Sequence, residues 1–259
     1  MQRPKKQKRI LRLLFGLHIL LISLCGLALI FQKPLAHSKM AQDINKQIVG
    51  KVDQSTLENN QNTDVVSDGQ GNEIEPNYDW ESVSAFSPDM ILNNTYDPSK
   101  LPIIAGIAIP DLGINLPIYR GVADANLIYG AATTSASQRL GVGNYGLASH
   151  HVFGMWGDTT LLFSPLDRAQ NGQLIYMTDK NYIYVYTIYN KERVSPEDSW
   201  ILNDPADGET PITTLVTCTD IHATARLIVQ GRLTDKIPWS GASDTIKSYF
   251  FATYNSYQR

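Results

Sequence analysis

The sequence predicts an all-β protein, a barrel of short strands that follows one N-terminal apolar helix. From residue 101 onward, short runs of β-branched and aromatic residues alternate with turns rich in Gly, Pro, Asn and Asp. Many short strands at this spacing are typical of a barrel. The sequence contains no phosphate-binding glycine loop, no zinc-ligand spacing and no internal repeat, which argues against several other large fold classes.

The N-terminus has the composition of a membrane anchor. Residues 1–12 carry six Lys or Arg side chains, and residues 13–31 form an apolar run. As a helix, these 19 residues extend about 28 Å, close to the hydrocarbon thickness of a bilayer. The best cleavage signal, Pro34-Leu35-Ala36, is poor, so we expect an uncleaved anchor. Because the basic residues precede the span, we expect residues 1–12 in the cytoplasm and the rest of the chain outside the cell.

Residues 32–99 are predicted to form a flexible, acidic, extracellular linker. The stretch is rich in Asn, Gln, Ser, Asp and Glu and poor in aliphatic periodicity. Such a composition supplies little apolar surface to bury. Two interpretations are open for its more apolar part, residues 80–92: a plain spacer, or a segment that lies over the barrel and controls access to it.

The barrel is predicted over residues 100–235. One hairpin is expected around the turn at residues 110–113 and a clearer one around residues 179–181. The expected strands are residues 103–109, 116–119, 145–149, 174–178, 182–194, 212–218 and 225–233, with one helical turn at 124–129. Residues 236–259 form an extension predicted to be helical, because Ser243 and Asp244 supply a cap ahead of an apolar face.

The last two strands carry the most reactive pair of side chains. Cys218 ends one β-branched run and Arg226 opens the next, which places both at one end of the sheet. Residues two apart on a strand share a face, so Val216 accompanies Cys218 and Ile228 accompanies Arg226. Cys25 lies in the apolar run, which leaves Cys218 as the one cysteine of the exported part. An unpaired cysteine there is a candidate reactive thiol.

The candidate base for this thiol is a histidine. Cysteine needs a base or a cationic neighbour because the thiolate is the nucleophile and a free thiol is mostly protonated at neutral pH. His150 and His151, at the end of the apolar stretch 146–149, are both candidates, and His222 is a weaker one that either touches substrate or is solvated. Arg226 offers fixed donors to an oxyanion. From the residues alone, Cys218 as a small buried hydrophobe remains the other interpretation.

Several segments resemble the class A sortase family. The active-site likeness rests on TLVTC at residues 214–218, Arg226 eight residues later and ASHH at residues 148–151. GIAIP at residues 106–110 and INLPIYRG at residues 114–121 resemble the first two strands of that family. FSPLD at 163–167 and YMTDK at 176–180 are similar to streptococcal members. The likeness covers residues 100–233 in the family's order.

The resemblance implies a closed eight-stranded barrel and a two-step acyl transfer. Sortases cut a sorting signal of the LPXTG type between Thr and Gly and join the Thr carbonyl to an amine of the peptidoglycan precursor. By this resemblance, Cys218 forms the thioester, His150 transfers the proton, and Arg226 stabilises the oxyanion or holds the substrate backbone.

The resemblance also implies substrate-binding residues. Thr217, next to the nucleophile, is expected to lie against substrate. Ala148, Val216 and Ile228 are expected to form the apolar floor for Leu and Pro of the signal, with ordinary core packing as the alternative. His151 would then point to the other face of its strand.

Partners and cofactors follow from the same likeness. We expect LPXTG-bearing surface proteins, a lipid II-type precursor amine and the cell membrane as partners, and the net charge of −3 gives no sign of nucleic acid. No cofactor and no metal are expected. Some sortases bind calcium through acidic residues in two loops, but here the first loop, residues 133–139, has no carboxylate, and a hard cation needs several oxygens in a closed cage.

Three other functions remain open. A hydrolytic surface cysteine protease would share the thioester and end at water. A pilin-polymerising sortase would carry a lid with an Asp-Pro and an aromatic residue; Asp97-Pro98, preceded by Tyr96, is present, but no hydrophobic C-terminal tail is. An inactive, membrane-tethered peptide-binding barrel is the non-enzyme alternative, against which the complete set of thiol, imidazole and guanidinium argues.

Overall fold

The computed structural model describes residues 5–87, 89–93, 95–153, 160–206 and 210–253. Its helices are α1 (Lys5–Lys46), α2 (Gln54–Gln61), α3 (Asp89–Leu92), α4 (Asp124–Tyr129) and α5 (Asp244–Tyr249). Its strands are β1 (Val66–Ser67), β2 (Glu73–Ile74), β3 (Ala105–Ile109), β4 (Ile114–Tyr119), β5 (Ala131–Thr133), β6 (Asn144–Ala148), β7 (Leu174–Thr178), β8 (Tyr182–Val194), β9 (Ile212–Cys218) and β10 (Arg226–Pro238). Residues 1–4 of the predicted basic segment, residues 254–259 of the predicted extension, and residues 207–209 between β8 and β9 lie outside the described residues.

A closed barrel forms the centre of the fold. Within the described ranges, eight strands close it in the order β10-β8-β7-β3-β4-β5-β6-β9. The pairs β4–β5 and β6–β9 are parallel, and the other neighbours are antiparallel. The core is built mainly of Ile, Leu, Val and Tyr side chains, and β3 to β6 are buried at every position. The predicted all-β barrel is therefore confirmed.

The hairpins follow the local turn chemistry that the sequence indicated. Between β3 and β4, the short turn Pro110–Leu112 is followed by Gly113 at φ 70, a conformation that glycine adopts without steric cost. β7 and β8 pair on either side of residues 179–181, as predicted. β10 runs five residues past the expected end at 233, because its pairing with β8 continues to Pro238 beyond two register shifts.

Residues 32–99 differ from the expected flexible linker. α1 continues past the apolar run to Lys46, and its residues Ala36, Met40 and Ile44, four apart, are buried in the main core. Val49 and Leu57 are fully buried there too. One buried apolar side chain per helical turn therefore attaches this polar part of α1 to the barrel.

Polar contacts complete the attachment of this region. The side-chain amides of Asn60 and Gln61 donate to the carbonyls of Ile103 and Ile104, at 2.8 and 2.6 Å. Arg120 donates back to the carbonyl of Asn60 at 3.1 Å. The backbone groups that lead into β3 are thus paired by residues of α2.

Each end of the chain contains a helix, and among the described residues of the predicted extension 236–259 the α-helix is limited to the six residues of α5. Arg9–Phe31 is long and apolar enough to cross a membrane, with a mean hydropathy of 2.6, and none of it is buried in the protein. At the other end, Ser243 caps α5 by accepting from the amide of Ile246 at 3.3 Å. Phe250, just past α5, is fully buried against the barrel.

Candidate active site

Cys218 and Arg226 lie directly opposite each other at the ends of β9 and β10. One row further along the same strands, Val216 pairs with Ile228, and Val216 also pairs with Ala148 of β6. Because residues two apart share a face, the thiol and the guanidinium lie on the face of this apolar row. Val216 and Ile228, two of the expected floor residues, lie in this row and are themselves buried, with 6% and 0% exposure.

His150 follows Ser149, which connects the end of β6 to β9 by hydrogen bonds. The amide of Ser149 donates to the carbonyl of Val216 at 3.2 Å, and the hydroxyl of Thr217 donates to the carbonyl of Ser149 at 2.8 Å. The Ser149 hydroxyl donates to the carbonyl of Gly130 at 2.7 Å. Ser149 and Thr217 are thus bonded to each other, and His150 and Cys218 are the next residues in their two chain segments. The bond holds these two segments side by side.

The imidazole of His150 is buried under an aromatic side chain. Only 5% of the residue is exposed, and among the described residues its Nε2 atom has no hydrogen-bond partner. The ring of Phe86 lies over it, with centroids 5.7 Å apart. Burial lowers the pKa of His150 to about 4, against a weaker opposing pull from the Asp124 carboxylate. In this conformation the imidazole is neutral at physiological pH.

The thiol of Cys218 is also held in its neutral form. Burial raises its pKa, the neighbouring Arg226 charge opposes that rise, and Asp220 adds to it. Thiol and imidazole thus both rest uncharged. A proton can pass from sulfur to nitrogen only when another group stabilises the ion pair that results.

The loop between β9 and β10 sets the position of Arg226. Its Nη1 atom donates to the carbonyl of Ala223 at 2.8 Å. Asp220 organises the loop by accepting from the amides of His222 and Thr224, at 2.8 and 3.3 Å. The hydrogen bond from the Thr224 hydroxyl, followed by these two backbone bonds, lowers the pKa of Asp220 to about 2, against an opposing effect of burial. His222 is exposed, so the solvated interpretation of that histidine fits the structure.

His151 is engaged by Asp167 and Phe153. Its Nε2 atom lies 2.8 Å from Oδ2 of Asp167, and its ring stacks on Phe153 with centroids 4.1 Å apart. The amide of Phe163 donates to the carbonyl of His150 at 3.2 Å on the same side. His151 thus anchors the loop after β6 to the turn Ser164–Arg168.

The predicted floor residues fall into two apolar clusters. Ala148 packs with Val122, Leu127 and Ala132, whereas Val216 and Ile228 pack with Ile201. Ala132 pairs with Ala148 across β5 and β6, so one continuous row crosses four strands: Ala132, Ala148, Val216 and Ile228.

One residue of this region was missed by sequence reasoning. Ala132 lies on a three-residue strand that no alternation indicated, and it enters the row only through strand pairing. Phe86 belongs to residues 80–92, for which the sequence left two interpretations open, and its ring contact with His150 agrees with a segment that lies over the barrel. In the described part of the chain, no three His, Cys, Asp or Glu side chains are grouped so as to hold a metal ion.

A thiol paired with a guanidinium on a closed β-barrel, with an imidazole on the neighbouring chain segment, is the set of groups that a cysteine acyl-transfer enzyme uses. Comparison with known proteins agrees with this class. The family model described as the sortase domain matches residues 107–234. Sortase A of Streptococcus agalactiae serotype III (strain NEM316) is 38% identical over 256 residues, which is 98% of each chain.

Two further matches come from Listeria monocytogenes. Its serovar 1/2a sortase A is 30% identical over 165 residues, 63% of this chain and 71% of that one. The crystal structure of a sortase A from the same species superposes with a TM-score of 0.52 at 28% identity, and covers 58% of this chain and 99% of that one. The chain belongs to the sortase family, in its class A branch. It is a cysteine transpeptidase of cell-wall sorting, whose substrates are in general surface proteins with a sorting signal and a peptidoglycan precursor.

Proposed function

We propose that this chain cleaves an LPXTG-type signal between Thr and Gly at Cys218 and joins the Thr carbonyl to a lipid II-type amine. The observation that carries the proposal is the direct pairing of Cys218 with Arg226 above an apolar row. The row offers apolar contact to Leu and Pro of the signal at Ala148, Val216 and Ile228. Thr217 is proposed to contact the substrate backbone, next to its hydrogen bond with Ser149.

In the first half-reaction, the sulfur of Cys218 attacks the Thr carbonyl carbon while neutral His150 takes the thiol proton. Arg226 donates to the oxyanion of the tetrahedral intermediate and offsets its charge. The carbon–nitrogen bond to Gly then breaks, and the imidazolium returns its proton to the leaving amine. The products of this half are a thioester on Cys218 and a free N-terminal Gly fragment.

In the second half-reaction, the precursor amine attacks the thioester carbonyl. His150 takes the proton that this nitrogen loses, the carbon–sulfur bond breaks, and the sulfur is reprotonated to the thiol. Water in place of the amine would give a free Thr acid, which is the product of the hydrolytic alternative.

We propose further that α1 crosses the cell membrane once, with residues 1–12 in the cytoplasm and the catalytic unit, residues 100–235, outside. The basic residues ahead of Arg9–Phe31 support this orientation. Asp97-Pro98 was the sequence feature in favour of the pilin-polymerising alternative. The carboxylate of Asp97 caps the turn Pro98–Lys100 by accepting from the amide of Ser99 at 3.0 Å, so a local structural role already accounts for this residue.

The test uses the full chain in detergent micelles with an LPXTG peptide, with and without glycine or alanine peptides as acceptors. Mass spectrometry should find the acceptor amine joined to Thr, and Cys218→Ala should abolish that product. Free Thr acid in the presence of excess amine would favour the protease. No cleavage by wild-type protein, with peptide bound, would favour the inactive binding barrel.

A further inference from the structure

Part of the connection between β8 and β9 packs on the apolar row. We define the loop segment as residues 198–204. Within it, Trp200 is exposed, whereas Ile201 is buried. The side chain of Ile201 packs with Val216 and Ile228. One side chain of this loop thus lies against two of the residues proposed to receive Leu and Pro of the sorting signal.

The main chain of the loop segment is held to the barrel by Asn144 of β6. The Nδ2 atom of Asn144 donates to the carbonyl of Ile201 at 3.1 Å and to the carbonyl of Asn203 at 3.0 Å. The backbone amide of Asn144 donates to Oδ1 of Asp204 at 2.7 Å. One residue of the barrel therefore contacts the loop segment at Ile201 and at two positions after it.

Asn144 is itself held by side chains that cross the sheet. The hydroxyl of Thr214, on β9, donates to Oδ1 of Asn144 at 2.8 Å, and Nε2 of Gln230, on β10, donates to the Thr214 hydroxyl at 3.2 Å. The Nδ2 atom of Asn190, on β8, donates to Oε1 of Gln230 at 3.2 Å. We call Asn144, Thr214 and Gln230 the polar chain. Its three members are at most 7% exposed, so water competes little for their hydrogen bonds.

The polar chain can donate in one direction only. A backbone carbonyl accepts and never donates, so the carbonyls of Ile201 and Asn203 require the amide nitrogen of Asn144 on their side. The amide oxygen then faces Thr214, which donates to it and accepts from Gln230. If one member turned, a buried donor or acceptor would lose its partner, which costs free energy. The polar chain therefore supports one arrangement of the loop segment.

The polar chain lies on the same face of the sheet as the apolar row. Thr214 is two residues before Val216, and Gln230 is two residues after Ile228. Thr214 and Gln230 are register partners, as are Val216 and Ile228. Row and polar chain are thus neighbouring layers of one face. The loop segment contacts both, since the side chain of Ile201 packs on the row and its carbonyl accepts from the polar chain.

We propose that Asn144, Thr214 and Gln230 are positioning residues for peptide recognition. They hold the loop segment so that Ile201 forms a wall of the apolar row, against which Leu or Pro of the sorting signal packs. The proposal rests on the proposed function, because it takes the sorting-signal peptide as the group that packs there.

Loss of a member of the polar chain should weaken peptide binding more than chemistry. Without it, only a fraction of molecules keeps the loop segment in place, and the apparent affinity for peptide falls by that fraction. Cys218 and Arg226 are held by the pairing of β9 with β10, which the polar chain does not form. We therefore expect KM to rise while kcat stays near its wild-type value.

The first test compares two adjacent threonines of β9 in the full chain in micelles. Thr213 and Thr214 are both fully buried, and the hydroxyl of Thr213 donates to the carbonyl of Tyr145 at 2.8 Å. Thr214→Val should raise KM for an LPXTG peptide by about tenfold with kcat within twofold. Thr213→Val, the matched control, also loses one buried hydroxyl and should keep the wild-type KM. Thr214→Ser retains the hydroxyl and should keep the wild-type KM as well.

Thermal unfolding of the two valine variants separates positioning from general stability. We expect similar decreases in melting temperature, because each variant loses a buried hydrogen bond. A KM that rises in Thr214→Val alone then supports the positioning role. An equal rise of KM in Thr213→Val, an unchanged KM in Thr214→Val, or a fall of kcat at constant KM would overturn it.

The second test does not depend on catalysis. The amides of Ile201 and Asn203 donate within the loop segment, to the carbonyls of Asp198 and Trp200 at 3.3 and 3.0 Å. Their hydrogen exchange should be about tenfold faster in Thr214→Val than in Thr213→Val, both without peptide. Equal exchange in the two variants, with active wild-type protein, would refute the positioning role alone. Faster exchange in Thr214→Val, with no acyl product from wild-type protein, would refute the proposed function and the peptide as the recognised group.

Discussion

Cys218 and Arg226 are register partners across β9 and β10, and each stands two residues from a member of the second register pair, Val216 and Ile228. Backbone pairing therefore sets the separation of thiol and guanidinium. Because the backbone of Arg226 is fixed by strand pairing, only the outer part of its side chain needs to be held in place. The carbonyl of Ala223 does this by accepting from the guanidinium.

This pairing predicts that Arg226 cannot be replaced by another cation. Arg226→Lys keeps the charge and loses the planar fork of donors, so we expect kcat/KM for an LPXTG peptide to fall by about 100-fold. Arg232→Lys is the matched control on the same strand, where the guanidinium lies over the Tyr189 ring at 4.8 Å, and it should keep near-wild-type activity. If Arg226→Lys stayed within threefold of wild type, a positive charge alone would suffice at that position.

The two adjacent histidines should respond differently to substitution. His150→Ala should lower kcat by about a thousandfold, because general acid–base transfer is lost. His151→Asn removes the contact with Asp167, and should lower the melting temperature by a few degrees while activity stays within tenfold. Activity assays and thermal unfolding of both variants provide the comparison. A folded His151→Asn protein as inactive as His150→Ala would give His151 a part in the chemistry.

Much of the barrel and of the reactive set was visible in the sequence. Alternation and turn residues placed β7, β8 and β9 within a residue of their observed bounds. The shared faces of Val216 with Cys218 and of Ile228 with Arg226 follow from the period of two along a strand. The choice between His150 and His151 needed the resemblance, because adjacent residues at a strand end carry no periodic signal.

The N-terminal region was not visible in the same way. Its buried residues Ala36, Met40 and Ile44 come once per helical turn within polar surroundings, so composition alone suggests disorder. The contact of Phe86 with His150 joins residues 64 positions apart, which no local pattern reports. Ala132 enters the row through pairing of β5 with β6, and three residues are too few to show alternation.

Calcium should have no effect on activity. The loop at residues 133–139 has no carboxylate, and Asp204 already accepts from the amide of Asn144 at 2.7 Å. Asp198 accepts from the amide of Ser195 and from the Trp200 indole, at 2.9 and 3.0 Å. Ligation of a hard cation would have to break such bonds. We expect equal transpeptidation rates in EGTA and in millimolar calcium; loss in EGTA with restoration by calcium alone would disprove this.

Stability should fall in mild acid because of His150. The unfolded chain binds the imidazole proton near pH 6.5, whereas burial lowers the pKa in the folded state to about 4. Between these values the unfolded state holds more protons, so stability is lost as pH falls through that window, by about 2 kcal/mol at pH 5.

His150→Gln cannot be protonated and should lose less stability than wild type between pH 7 and pH 5. His222→Gln, at an exposed histidine, is the control and should follow wild type. Urea unfolding at both pH values measures the difference, and an identical pH dependence in wild type and His150→Gln would mean that the imidazole is not buried in solution.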